Sequence, residues 1–191
     1  GLSAVVNCLM IWMGLRSSPA SSITTIPFDE AFRAYRDMLR TLVDFEAIQE
    51  AFAGRGPGGR LLRYVVVDPH NGNTGTYWRR LLEDDLELAE LTQWEILEGH
   101  EAPDPSFPEF GEPGYPDPTE ERGNQELQAR ITARGRQGLG IAFGIGVDPD
   151  GDREGFIDPT AGGTEQSVIL SVNEQLPLLL QYRLQQAFIQ W

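Results

Sequence analysis

Apolar positions along this chain change period several times, and each change marks an element. Phe28, Phe32, Tyr35, Leu39 and Leu42 recur every three or four residues, which predicts a helix with one apolar face. Phe45, Ile48 and Phe52 extend the pattern after Asp44 as a second short helix. Leu61 to Val67 is an apolar, β-branched run and reads as a buried strand. From Thr76 to about Glu90 the helical spacing returns, with Tyr77, Leu81, Leu82 and Leu86 near one face. Thr92 to Leu97 predicts a strand, Asn124 to Arg136 a modest helix, and Leu139 to Val147 another strand. Short strands follow over Gly155 to Asp158 and Ser167 to Leu170. Ser171-Val172-Asn173-Glu174 is then a capping box for a final helix. Pro177 falls inside that helix, where it is expected to cost a hydrogen bond and introduce a kink.

Turn chemistry separates these elements. Asp68 to Gly75 makes a turn from strand to helix, and Gly72 and Gly75 suit a tight one. The segment Gly54-Arg55-Gly56-Pro57-Gly58-Gly59 matches GxGxxG, but it precedes a strand instead of following one, so it reads as a flexible turn. Gly99 to Thr119 is a long loop rich in proline and acids, which proline stiffening favours as ordered and extended. Ala161 to Glu165 reads as a turn, and Arg16 to Thr25, rich in Ser and Thr, as a linker.

One of these turns carries chemistry. Asp148-Pro149-Asp150-Gly151-Asp152-Arg153 places three carboxylates at alternate positions directly after the Leu139–Val147 run. Carboxylates this close repel one another unless a cation joins them, and their oxygens are the ligands that Mg2+ and Ca2+ select. Arg153 adds a cation able to reach a phosphate oxygen. The alternative is a solvated polar turn, since Asp, Pro and Gly dominate turns. An EF-hand loop is excluded: its sixth position needs Gly and its twelfth Glu, and here they are Arg153 and Pro159. Three short carboxylates leave coordination positions open for water or a substrate phosphate, as Mg2+ sites usually do. His100 has no His or Cys companion nearby, so it is not expected to bind metal.

The Asp148–Arg153 loop, followed by Gly155-Phe156-Ile157-Asp158 and Leu170-Ser171-Val172-Asn173-Glu174-Gln175-Leu176, resembles the metal loop and following elements of the α-D-phosphohexomutases, the phosphoglucomutase and phosphomannomutase family. Val65 to Gly75 is similar to the strand and Gly-rich turn that open that family's second domain. Pro103 to Pro108 and Tyr115 to Thr119 resemble its Pro-rich connection. Order and spacing agree over roughly residues 28 to 186. The resemblance implies an α/β fold, a three-layer α/β/α sandwich with a small mixed sheet, over residues 28–191. It implies Mg2+ as cofactor, with Asp148, Asp150 and Asp152 as metal ligands and Arg153 assisting the phosphoryl group. The implied reaction moves a phosphoryl group between the 1- and 6-positions of a hexose phosphate through a phosphoserine. The strand into the Asp loop reads a few residues longer than the family's, which predicts either an extended strand or a bulge.

The family's Thr-Ala-Ser-His-Asn-Pro serine motif does not occur in these 191 residues, and Ser18-Pro19-Ala20-Ser21-Ser22 is no substitute. The sugar-selecting loop is missing as well. Gly163-Thr164-Glu165 resembles the terminal phosphate loop but stands too near the metal loop to serve as one. The expectation is therefore the metal-binding domain of such an enzyme, inactive alone, with hexose phosphate and the remaining domains as partners. A non-catalytic divalent-cation-binding or interaction module is the alternative.

Composition narrows the partners. A net charge of −14 disfavours nucleic acid and anionic membranes. Cys8 is the single cysteine, which excludes an internal disulfide, a zinc cluster and a CxxC redox site and suits a cytoplasmic location. Residues 1–27 stand apart. Leu2 to Leu15 is apolar but short for a bilayer span, and lacks the basic start of a signal peptide. Gly1 suggests a chain that was processed or excised.

Overall fold

The computed structural model describes residues 25–54, 63–107, 116–137, 141–159 and 167–189. The N-terminal apolar segment, Arg55 to Gly59 and the Ala161–Glu165 turn lie outside the described residues. The chain divides after Asp37. In the N-terminal part, Phe28 and Phe32 stack with ring centroids 6.0 Å apart at the start of helix α1 (Phe28–Leu42). All that follows concerns residues from Met38 onward.

Helix α2 (Phe45–Ala53) begins at Asp44, whose carboxylate accepts the amide of Ala47 at 3.0 Å. That N-cap bond satisfies one orphan donor of the first turn. Strand β1 (Arg63–Asp68) follows, then helix α3 (Gly75–Arg80), which widens into a π-helical turn over Leu81–Asp85. Strand β2 (Trp94–Ile96) is short. A 3-10 turn (Arg122–Asn124) leads into helix α4 (Gln125–Arg136), and strands β3 (Ile141–Val147) and β4 (Glu154–Asp158) come next. Strand β5 (Val168–Leu170) and helix α5 (Val172–Ile189) close the described chain.

The five strands form one mixed sheet in the order β2-β1-β3-β4-β5. β1 is parallel to both β2 and β3, while β3–β4 and β4–β5 are antiparallel. In β1, Val65 and Val67 point to one face, and Tyr64 and Val66 to the other. All four are at most 2 % exposed, as expected of a central parallel strand covered on both sides. On one face Val65, Val67, Ile145, Val147 and Trp94 pack with Phe45 and Phe52 of α2 and with Leu82 and Leu86. On the other, Tyr64, Val66, Ala142 and Ile157 pack with Leu127 and Ile131 of α4. Helices on both faces of a small mixed sheet make a three-layer α/β/α domain. Each large side chain buried in these layers contributes about 1.5–3 kcal/mol.

One expectation is corrected, and one that stood open between two alternatives is decided. The helix expected to run to Glu90 leaves helical geometry after Asp85. Beyond that end Leu88 is buried, and its carbonyl accepts the Trp94 indole N–H at 2.8 Å. Glu87 takes a φ of 51° to make that exit. No bulge interrupts β3: its register with β1 is continuous from Arg63↔Ile141 to Asp68↔Gly146, so the strand is simply extended. Helix α5 runs on both sides of Pro177, which has no N–H to donate to the carbonyl of Asn173 four residues earlier. Half of the capping box forms: the Ser171 amide donates to the Glu174 carboxylate at 2.8 Å, but the Ser171 hydroxyl donates to the same carboxylate at 2.7 Å and the Glu174 amide donates instead to the Ser171 carbonyl at 2.9 Å. No described helix is long and apolar enough to cross a membrane.

Candidate metal centre

Parallel pairing of β1 with β2 and β3 sets the carboxyl ends of all three strands side by side. Ligands of open α/β sheets gather at this edge. Three loops meet there: Pro69–Thr74 after β1, Leu97–Ala102 after β2, and Asp148–Arg153 after β3.

The third loop is built around one buried carboxylate. Asp148 is fully buried. Its Oδ1 accepts the amides of Gly151, Asp152 and Arg153 at 3.0, 2.9 and 3.0 Å. Its Oδ2 accepts Arg153 Nε at 3.0 Å. The backbone thus wraps round Asp148, and Gly151 supplies the φ of 79° that closes the wrap. Burial by itself would push the Asp148 carboxyl up, but the amide and guanidinium of Arg153 outweigh it and hold it below the usual carboxylate range.

Asp150 and Asp152 stand on the rim of the same loop and are exposed. One carboxylate oxygen from each of Asp148, Asp150 and Asp152 lies within 4.8 Å of the other two. The Asp152 carboxyl is pushed up, first by a hydrogen bond shared with Asp148 and then by the charges of Asp150 and Asp148. That is the signature of crowded like charges, and a bound cation relieves it. Hard oxygen donors on two exposed rim residues and one buried residue fit Mg2+ better than a closed Ca2+ cage. Oδ2 of Asp148 accepts Arg153 Nε and keeps acceptor capacity that its amide-saturated partner oxygen lacks.

Arg153 also donates through Nη1 to Asp117 at 2.7 Å. The Thr119 hydroxyl, then its amide and the Arg153 charge, hold the Asp117 carboxyl below the usual range against the effect of burial. The Arg therefore braces the loop against the end of the Pro-rich segment, with its side chain 40 % exposed. Sequence reasoning singled out Arg153 for phosphoryl contact and missed Asp117; the available signal was Asp117 within Tyr115–Thr119, two residues before a threonine that can fix it.

The Pro69–Thr74 loop leans on the Asp loop. Asn73 donates its amide to the Pro149 carbonyl at 2.9 Å. Any Cβ on Gly72 would collide with the backbone of Pro149. His70 and Asn71 hold consecutive left-handed conformations, φ 47° and 52°, a strain that survives only where surroundings over-determine it. Asn71 supplies part of that support by donating Nδ2 to the carbonyls of Gly99 and Ala102 at 2.7 and 3.0 Å. His100, unpromising as a metal ligand, instead sits 2.9 Å through Nδ1 from Asp68 Oδ1. Asp68, His70 and Asn124 are buried at this edge beside Asp148. None of the three stood out in the sequence, because only pairing brings residues so far apart to one place.

Residues 33–163 match the family model for phosphoglucomutase/phosphomannomutase, alpha/beta/alpha domain II. The match covers more than half of the chain and includes all three loops at the sheet edge. No curated protein matches the chain.

Proposed function

The chain belongs to the phosphoglucomutase/phosphomannomutase family through an α/β/α domain II, and from that premise we propose that it is the metal-binding domain of a phosphohexomutase. In this reading Asp148, Asp150 and Asp152 hold Mg2+, and the substrate class is a hexose phosphate. The observation that carries it is the three-carboxylate cluster on the loop at the carboxyl end of β3, with its members within 4.8 Å. Bound there, Mg2+ would supply charge neutralisation to a transferring phosphoryl group.

The chain's own residues do the positioning. Asp148 is held rigid by three amides and a guanidinium, so it presents a fixed oxygen. Asp150 and Asp152, on the exposed rim, can close on a cation. Arg153 ties Asp148 to Asp117 and places a permanent positive charge beside the site. Its proposed catalytic part is to assist the phosphoryl group with that charge, because phosphoryl transfer asks the scaffold mainly for orientation and electrostatic stabilisation.

The phosphoserine and the sugar-selecting loop belong to other domains in this reading. These 191 residues alone accordingly give no turnover of glucose 1-phosphate. The direct test is a Mn2+ titration followed by electron paramagnetic resonance. Wild type is expected to bind saturably at one site, and the Asp150→Asn/Asp152→Asn double variant at least tenfold more weakly. Equal behaviour of the two, or no saturable binding by wild type, would leave an α/β scaffold with a solvated turn.

A further inference from the structure

We propose that His70 is a positioning residue for the metal loop, and that it acts as an imidazolium carrying protons on both ring nitrogens. The ring is fully buried. Its Nδ1 lies 2.8 Å from the carbonyl oxygen of Val147, one peptide before Asp148. Its Nε2 lies 2.7 Å from the carbonyl oxygen of Gly123 and 3.2 Å from Oδ2 of Asp68. Carbonyl and carboxylate oxygens only accept. A neutral imidazole has one N–H, so its other nitrogen would face a carbonyl lone pair with a lone pair of its own. Two protons satisfy both sides of the ring, and the Asp68 carboxylate provides the counter-charge that a buried cation requires.

The surroundings fit a cation. Asp68 on β1 also accepts the His70 amide at 2.8 Å and faces His100 Nδ1 at 2.9 Å. His100 Nε2 in turn lies 3.5 Å from Glu126 of α4. Asp148 heads the metal loop one residue beyond the bonded carbonyl. Three carboxylates therefore stand on the elements around the two imidazoles. Position is fixed too: the ring is buried on a residue with a left-handed φ of 47°, and a Cβ on Gly146 would lie 3.2 Å from its Cε1. One ring thus joins the end of β3 to the 3-10 turn ahead of α4 and to β1. It sets where β3 releases the chain into Asp148.

The proposal rests on the metal-loop reading only for what the loop holds; the charge state and the positioning stand apart from it. The first arm is an imidazole nitrogen–proton correlation spectrum of the nitrogen-15-labelled chain at neutral pH. The chain has two histidines, so His100→Gln identifies the signals of His70. Both His70 nitrogens are expected to be protonated; one unprotonated nitrogen overturns the proposal. In the second arm, hydrogen exchange is compared between wild type and His70→Gln. The amides of Gly151, Asp152 and Arg153 are expected to exchange at least tenfold faster while those of α4 keep their rates. Uniform acceleration, or none, removes the positioning role. Mn2+ affinity is expected to fall about tenfold in His70→Gln. If wild type binds no Mn2+ while the first two arms hold, the metal reading fails and the assignment of His70 stands.

Discussion

Single residues at the sheet edge carry more than their types suggest. Asp148 reads in the sequence as one of three equivalent carboxylates, yet the fold makes it different from the other two. It is buried and accepts four hydrogen bonds, while Asp150 and Asp152 are exposed. Asp148→Asn swaps an acceptor oxygen for an NH2 facing donors, so it should destabilise the domain by about 2–3 kcal/mol in urea unfolding. Asp150→Asn should cost under about 0.5 kcal/mol. Equal costs would mean that Asp148 does not organise the loop. Gly72 makes a second residue-scale prediction. A methyl group there meets the Pro149 backbone, so Gly72→Ala should cost about 1–3 kcal/mol and displace the Asp loop. Chemical-shift changes confined to Asp148–Arg153 would report that displacement. The glycine was legible as a turn former, but its contact across two loops was not, because sequence spacing says nothing of which turns touch.

Elements were legible where a period persisted and one face was buried. The Phe45–Phe52 spacing and the β1 run appear as the hydropathy pattern predicts, and the bond from the Ser171 amide to Glu174 appears as the Ser171–Glu174 motif predicts. The overextended helix after Thr76 shows where pattern reasoning stops. Leu82, Leu86 and Leu88 are all buried, but the last is reached by leaving the helix. Beside that segment, Arg79 of α3 donates to both oxygens of Glu101 at 2.6 and 2.8 Å. The hydrogen bond from Arg79, opposed by burial, lowers the Glu101 carboxyl from its usual 4.5. A carboxyl lowered by folding stabilises above its unfolded value and loses that contribution as pH falls through its folded one. Both side chains are about a third exposed, so screening limits the effect to about 1 kcal/mol at pH 7. The stability gap between wild type and Glu101→Gln should therefore narrow as pH falls below the usual 4.5; a gap that does not change with pH would assign it to packing. In α5, Pro177 sits in a mostly exposed helix. Pro177→Ala should raise the melting temperature, by a gain of up to about 3 kcal/mol. A lower melting temperature would show that the proline is required by its context.

For the molecule as a whole, the proposed metal site predicts a link between cation concentration and stability. A ligand that binds only the folded state stabilises by about 2.7 kcal/mol at a hundred times its Kd. Saturating Mg2+ should raise the melting temperature of wild type reversibly with EDTA, and leave Asp150→Asn/Asp152→Asn unmoved. A rise in both would point to general screening of the −14 net charge. The family resemblance was carried by a local motif, Asp148–Arg153, and local motifs survive in sequence because their chemistry needs those residue types at that spacing. The same holds for the helix periods, the buried β1 run and the capping box, all set by neighbours along the chain. Tertiary structure decided the rest. Parallel pairing of β1 with β2 and β3 brings Asp68, His70, His100, Asp117 and Asn124 to the edge where Asp148 lies. Burial then fixes one carboxylate of the loop and leaves the other two exposed. Those distinctions depend on contacts between residues as many as 77 positions apart, such as His70 with Val147, and only the pairing of strands determines which distant residues share a dielectric and a hydrogen bond.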